Sequence, residues 1–324
     1  MNDSCETEMR ALDMAPDAVV AIDVGGTSIK AALVDASGST RCETVRTAPV
    51  GDGPAAVVEA LREVAHELGA HAVGAGVVVP GLVDVPAGMA RYSANIGWRD
   101  VPLSDILSAD LGVPVVLDND VRAGGVAERT VGRARGVADC LIVIIGAGIA
   151  GVVVAGGAAV SGGAGLAGEI GHVAVHHDGE RCACGQHGCL ETYASAAAIA
   201  RSYAAALRAD TVLSARDIVA ARDNDPLAAR VWEDAAEALG IALASYTMLL
   251  DPALVILGGG LAEAGDALLD PVRSALASRV TWRAVPPVEL SPLTPRAGLL
   301  GAAVLAWRAA GLEDFTAWMA GNRV

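Results

Sequence analysis

A chain of 324 residues, 53% hydrophobic but only 3% aromatic, can build one large or two medium domains around a core of Ala, Val, Leu and Gly. Its formal net charge of −15 excludes a nucleic-acid binder, which must neutralise phosphates with basic side chains. An anionic small ligand held by backbone amides and a metal ion remains open.

The first 17 residues are acidic and lack the basic and apolar regions of a signal peptide, so a flexible leader is expected. Apolar runs such as Cys140–Ile145 are too short to span a bilayer, and a cytoplasmic, reducing location is expected. Ala18–Asp23 predicts a buried strand, Gly25, Gly26 and Thr27 a tight turn, and Lys30–Asp35 a returning strand. This is a hairpin rather than a strand-turn-helix, and the GxGxxG and Walker A patterns are absent from it. Pro54–Leu68 has apolar residues at helical spacing, and Ala72–Val79 predicts a strand closed by Pro80 and Gly81.

Further along, Leu103–Leu111 predicts a short helix and Val113–Leu117 a strand, with Asn119 and Asp120 at the entry to a helix over Val121–Val131. A second hairpin, Cys140–Ile145 with Gly151–Ala155, surrounds Gly146, Ala147 and Gly148. Helices follow over Tyr193–Leu207 and Pro226–Leu250, then the strand Ala253–Leu257 with the turn Gly258, Gly259, Gly260, and last a helix over Leu299–Ala310. One theme therefore starts near residue 18 and again near 138, as expected of two similar α/β halves whose glycine turns face a cleft and bind phosphates.

His172, Cys182, Cys184 and Cys189 lie in the run GHVAVHHDGERCACGQHGCLE. One nitrogen and three thiolates at this spacing can close a tetrahedral shell around zinc. His176 and His177 compete as ligands, but their setting predicts solvent-facing side chains. Asp120, after a strand and beside Asn119, has the position of a general base in an open α/β sheet; the alternative is a helix cap. Glu169, His172 and Glu191 suit sugar hydroxyls, each of which donates one hydrogen bond and accepts others. His172 can turn one ring nitrogen to a metal and the other to a ligand.

From about Val19 to Trp307 the chain resembles the ROK family of sugar kinases and related repressors, in the actin-like ATPase superfamily. The resemblance rests on Asp23–Thr27, Pro80 with Gly81, Asn95–Trp98, Asn119 with Asp120, Glu169–His172, Cys182–Glu191 and Leu257–Gly260. It implies a two-lobed α/β fold of the ribonuclease H-like type with a central interlobe cleft. The small lobe is expected at 18–118 plus 299–324, and the large lobe with its zinc loop at 119–298.

The same resemblance implies an ATP- and Mg²⁺-dependent kinase acting on the 6-hydroxyl of a hexose, with Asp120 as base. Gly81, Asn95, Asn119, Glu169, His172 and Glu191 would hold the sugar, and His172, Cys182, Cys184 and Cys189 a structural zinc ion. Asp23, Gly25, Gly26, Thr27, Gly146, Gly148 and Gly258–Gly260 would meet the nucleotide and its Mg²⁺. Asn95–Trp98 is similar to glucokinase members and favours glucose. N-acetylmannosamine, another hexose, or a non-catalytic sugar-binding regulator are the alternatives, and a homodimer or homotetramer is expected. The regulators of the family add a helix-turn-helix, for which the short acidic leader leaves no room.

One stretch departs from the family pattern. Gly146, Ala147, Gly148, Ile149, Ala150, Gly151 stand where GlyThrGlyIleGlyGly is usual. The lost threonine hydroxyl removes a bond to a charged phosphate worth ~1.5–3 kcal/mol. Ala150 would add ~1–2 kcal/mol of strain if its backbone were left-handed.

Overall fold

A computed structural model describes residues 18–69, 72–208 and 213–318; the expected leader lies outside them. The chain divides into two units, one running to Val131 and resuming at Arg296, the other comprising Gly132–Pro295. The helix Asp120–Thr130, placed in the large lobe by the expected boundary at 118, belongs to the first unit.

In chain order the first unit contains β1 (Ala18–Val24), β2 (Ser28–Asp35), β3 (Thr40–Thr47), α1 (Pro54–Leu68), β4 (Ala72–Val79) and the short strands β5 (Leu82–Asp84), β6 (Met89–Tyr92) and β7 (Arg99–Val101). Then come α2 (Leu103–Leu111), β8 (Val115–Asn119) and α3 (Asp120–Thr130). The second unit contains β9 (Cys140–Ile145), β10 (Ile149–Ala155), β11 (Ala158–Ala159), α4 (Glu191–Ala194), α5 (Ala196–Leu207), α6 (Ala215–Ala221) and α7 (Pro226–Leu250). It closes with β12 (Leu254–Gly258), α8 (Asp266–Ala277) and β13 (Val288–Leu290), and α9 (Ala297–Ala309) returns to the first unit.

The main sheet of the first unit has the order β3-β2-β1-β4-β8, with β1 antiparallel to β2 and parallel to β4. Because β1 is covered on both sides, its first five residues, Ala18–Ile22, are continuously apolar rather than alternating. Val20, Ile22 and Val24 point into the layer made with Leu61 and Val64 of α1 and Leu103 and Leu107 of α2. Val19 and Ala21 pack on the other face, against Ala123 of α3 and Leu299, Ala302 and Ala303 of α9. Glycines let α9 lie close: a Cβ on Gly76 would strike the backbone of Ala302, and one on Gly301 the backbone of Ala123. Continuing the alternation of Val19 and Ala21, Asp23 ends this row of the sheet.

The second unit repeats the wiring, in the order β11-β10-β9-β12-β13, with β9 antiparallel to β10 and parallel to β12. Leu141, Val143 and Leu257 of the sheet pack with Leu239 and Leu243 of α7 and Leu268, Val272 and Leu276 of α8. The expected helix over Tyr193–Leu207 breaks at Ser195, whose extended backbone and side-chain acceptance from the Ala198 amide make it the N-cap of α5. No predicted element corresponds to α8, which carries Pro271 in its interior. Among the described residues no helix is long and apolar enough to cross a membrane.

Pro271 brings no N–H to the carbonyl of Ala267, four residues earlier. The indole N–H of Trp232, on α7, donates to that oxygen at 2.7 Å instead. A buried tryptophan thus repairs the defect that proline makes in a neighbouring helix. Trp232→Phe is expected to destabilise the fold by ~1–2 kcal/mol in urea denaturation, the cost of an orphaned, partly buried carbonyl. Pro271→Ala, which restores the local amide, is expected to recover much of that loss.

Candidate active site and metal loop

In the first unit the strand-to-helix junction after β8 fixes the two residues expected to matter most. Asn119 is the N-cap of α3, its Oδ1 accepting from the amides of Val121 at 3.0 Å and Arg122 at 3.1 Å. Its Nδ2 donates to the carbonyl of Gly81 at 3.1 Å and to Oδ1 of Asp120 at 3.0 Å. The capping role open to Asp120 therefore falls to its neighbour. Asp120 is the first helical residue, where the helix dipole favours a carboxylate. The Asn119 amide and the Val121 N–H both bond its Oδ1, leaving Oδ2 out of these contacts. Burial raises the pKa of Asp120 above the usual carboxylate value.

Gly81 has φ +101° and no room for a Cβ, which would meet the Tyr92 carbonyl. Only glycine fits where the backbone must turn to offer its carbonyl to Asn119. Asn95 is exposed on the turn between buried Ser93 and Ile96, closed by a bond from the Gly97 amide to the Ser93 carbonyl at 2.8 Å.

Asp23 lies beside Asp120, and its pKa is pushed up to about 6, by burial first and by the Asp120 charge second, while Lys30 acts in the opposite direction. The first turn of α9 runs directly over it: a Cβ on Gly298 would sit 2.7 Å from Oδ2 of Asp23. Gly298 is a site-forming residue that sequence reading missed, because nothing marks a helical glycine as lying against a distant carboxylate. The adjacent turn is closed by the Gly25 amide donating to the Ser28 carbonyl at 2.8 Å, and Gly26 and Thr27 are exposed at its tip.

The second unit holds its own glycine turns. At the β9–β10 tip the Gly146 amide donates to the Gly148 carbonyl at 2.9 Å. Glu191, at the start of α4, accepts from the Ile149 amide through Oε2 at 2.8 Å. A Cβ on Gly148 would lie 2.5 Å from that oxygen, so glycine there makes room for the carboxylate. The structure thus ties Glu191 to the glycine turn through one of its two oxygens. Gly258 ends β12 and Gly259 has φ +82°, its backbone pressed against that of Ile145.

His172, Cys182, Cys184 and Cys189 converge, their ligand atoms all within 4.8 Å of one another. Sγ of Cys184 and Sγ of Cys189 are 3.7 Å apart, and Sγ of Cys182 is 3.7 Å from Nδ1 of His172. Tetrahedral zinc with Zn–S bonds of ~2.3 Å separates two thiolates by about 3.8 Å, so the set fits that ion. Burial pushes the Cys189 thiol up to about 12, and a cation at the centre is what would hold it as thiolate near neutrality. The other ring nitrogen, Nε2 of His172, lies 3.9 Å from Oε2 of Glu169. His177 is almost fully exposed, and His176 sits edge-on to Tyr193 at 4.5 Å; neither joins the cluster.

Residues 19–309 match the ROK family. The chain belongs to the ROK family. It is 34% identical over 311 residues to a glucokinase of Streptomyces coelicolor, covering 89% of this chain and 96% of that protein. A crystal structure of a ROK family glucokinase from Streptomyces griseus, in complex with glucose and AMPPNP, is similar with a TM-score of 0.80 at 31% identity, over 90% of this chain and 99% of that one. A putative xylose repressor of a Caldicellulosiruptor species is 29% identical over 87% of this chain and 76% of its own length. The fold is therefore that of the ROK sugar kinases, which are actin-like ATPases, and the chain is a phosphotransferase of that type.

Within this ROK chain the altered Gly146–Gly151 stretch is free of the strain considered above. Ala150 lies inside β10, paired with Ile144, and is not among the residues with positive φ. Ala147 is an exposed turn residue that is likewise outside the positive-φ set. What the turn lacks is one hydroxyl, not a backbone conformation.

Two outcomes follow for the ROK protein in solution. If the four-residue cluster holds zinc, Cys189→Ser is expected to cut the zinc measured by atomic absorption to a small fraction and to expose residues 173–190 to proteolysis, since this loop has backbone bonds but little apolar packing. Asp23, whose folded pKa of about 6 exceeds its unfolded value, favours folding when protonated. Its contribution is therefore lost as pH rises from about 4 to about 6, by at most ~3 kcal/mol. Asp23→Asn is expected to remove that part of the slope in urea midpoints measured across this range.

Proposed function

We propose that this ROK protein is an ATP-dependent glucokinase that transfers the γ-phosphoryl group to the 6-hydroxyl of glucose. The observation that carries the proposal is Asp120, a half-buried carboxylate of raised pKa that Asn119 relieves of capping duty. In the transfer the sugar O6–Pγ bond forms, the bond from Pγ to the bridging oxygen of ADP breaks, and the hydroxyl proton passes to Asp120. Mg²⁺ and ATP supply the electrophilic phosphoryl group when bound. Asp23 would orient the metal through water, and the turns at Gly25–Thr27, Gly146–Gly148 and Gly258–Gly260 would offer backbone amides to the nucleotide.

Glu169, His172 and Glu191 are assigned to the remaining sugar hydroxyls, with Gly81, Asn95 and Asn119. In Asn119 the observed bonds already engage Oδ1 and Nδ2, so its part would be to orient Asp120 and Gly81. The four-residue cluster is assigned a structural zinc ion that braces the segment between Glu169 and Glu191, with His172 joining metal and sugar. Glucose is favoured over N-acetylmannosamine and other hexoses by the likeness to the glucokinases of Streptomyces coelicolor and Streptomyces griseus. The repressor relative supports a second reading, a sugar-binding regulator, against which the preserved base stands.

Asp120→Asn is expected to lower kcat by ~10²–10⁴-fold while leaving the Kd for glucose, measured by calorimetry, within a few-fold. A variant that kept most of its activity would remove Asp120 from the role of base. A panel of glucose, mannose and N-acetylmannosamine with ATP and with polyphosphate as donors is expected to give the highest kcat/KM for glucose with ATP. Absence of turnover with every pair would favour the regulator.

A further inference from the structure

Lysine occurs once in this chain, at position 30; the other permanently cationic side chains are all arginine. That lysine stands directly opposite Asp23 in the β1–β2 ladder. Opposed residues of an antiparallel pair project to the same face, with Cβ atoms about 4.5–5.5 Å apart. Asp120 reaches the same carboxylate from the start of α3, so Lys30 and Asp120 act on Asp23 in opposite directions.

The charges that the neighbouring elements bring near this point, Arg296 with Glu43 and Asp118 with Arg122, are paired with one another. On β4 the partner of Asp23 is Val78, and on β3 the partner of Lys30 is Val45. The first turn of α9 contributes Gly298, and Arg296, just before it, is held by Thr40 and Glu43. Asp118 of β8 is paired with Arg122 at 2.7 Å. Two partly buried carboxylates and one cation therefore share the end of the α3–α9 face. A compact ammonium fits beside a carboxylate in a strand pair, whereas a planar guanidinium spreads its charge over a larger fork.

We propose that Lys30 is a positioning residue for phosphoryl transfer, supplying the charge that lets Asp23 and Asp120 stand side by side as carboxylates. It acts through Asp23 and need not touch the sugar. The kinetic part of this proposal rests on Asp120 being the base; the electrostatic part concerns the unliganded protein.

The test is a double-mutant cycle of Lys30→Met with Asp23→Asn, read by urea denaturation without ligand, together with steady-state kinetics of Lys30→Met and Lys30→Arg. Lys30→Met is expected to lower the urea midpoint, and that loss is expected to shrink by roughly half or more when residue 23 is Asn, since coupled sites are not additive. The kcat of Lys30→Met is expected to fall on the order of tenfold, with the sugar KM changed by less than about twofold. Lys30→Arg, which keeps the charge, is expected to regain part of both losses.

Equal midpoint losses in the two backgrounds would show that Lys30 serves packing alone and would overturn the proposal. An unchanged kcat in Lys30→Met would overturn it as well. If the wild-type protein phosphorylates no sugar, the kinase reading fails by itself, and the unliganded cycle still decides the charge pairing.

Discussion

How closely α9 lies on the first sheet sets the position of both carboxylates. A chain that is 3% aromatic cannot fill the space between layers with rings, and this one brings the layers together instead. Gly76 in the sheet and Gly301 in the helix allow backbone to approach backbone, and Gly298 carries the same closeness up to Asp23. Since α3 packs on α9 through Ala123, the seat of that helix also determines where Asp120 enters the site. The acidic end of the unit inherits its geometry from a contact made by residues with almost no side chain.

Much of this was legible in the sequence. Pro54–Leu68, Ala72–Val79, Leu103–Leu111, Cys140–Ile145 and Pro226–Leu250 have the predicted bounds, because strong periodicity or a continuous apolar run is closed by proline, glycine or a polar turn. The convergence of His172, Cys182, Cys184 and Cys189 was legible because cysteine spacing constrains geometry directly. What escaped has physical reasons. In β3, Thr40–Thr47 is largely polar and carries no apolar alternation strong enough to announce a strand. Helix α8 contains a proline that only a residue from another helix makes tolerable. Among the site residues, the attachment of Glu191 to the Ile149 amide and the cover of Gly298 over Asp23 join positions 42 and 275 residues apart. No local pattern encodes such a pair.

The segment from Glu169 to Glu191 solves a different problem. It must hold polar side chains steady while being too polar to collapse. Its backbone folds on itself through bonds such as Val175 to Gly188 and Cys182 to Gln186, both 2.8 Å, and four ligands gather at its centre. Under the proposed zinc site, metal coordination would replace hydrophobic burial as the source of rigidity, and His172, 3.9 Å from Glu169, would carry that rigidity outward.

The single lysine also decides how this protein meets amine chemistry. Acylating, cross-linking or surface-coupling reagents that spread over a dozen lysines in an ordinary protein have here one side chain to find, and it lies in the strand pair with Asp23. Apart from the α-amino group, amine labelling of this chain can reach only Lys30 by composition, and an attachment made there is an attachment made at its acidic centre.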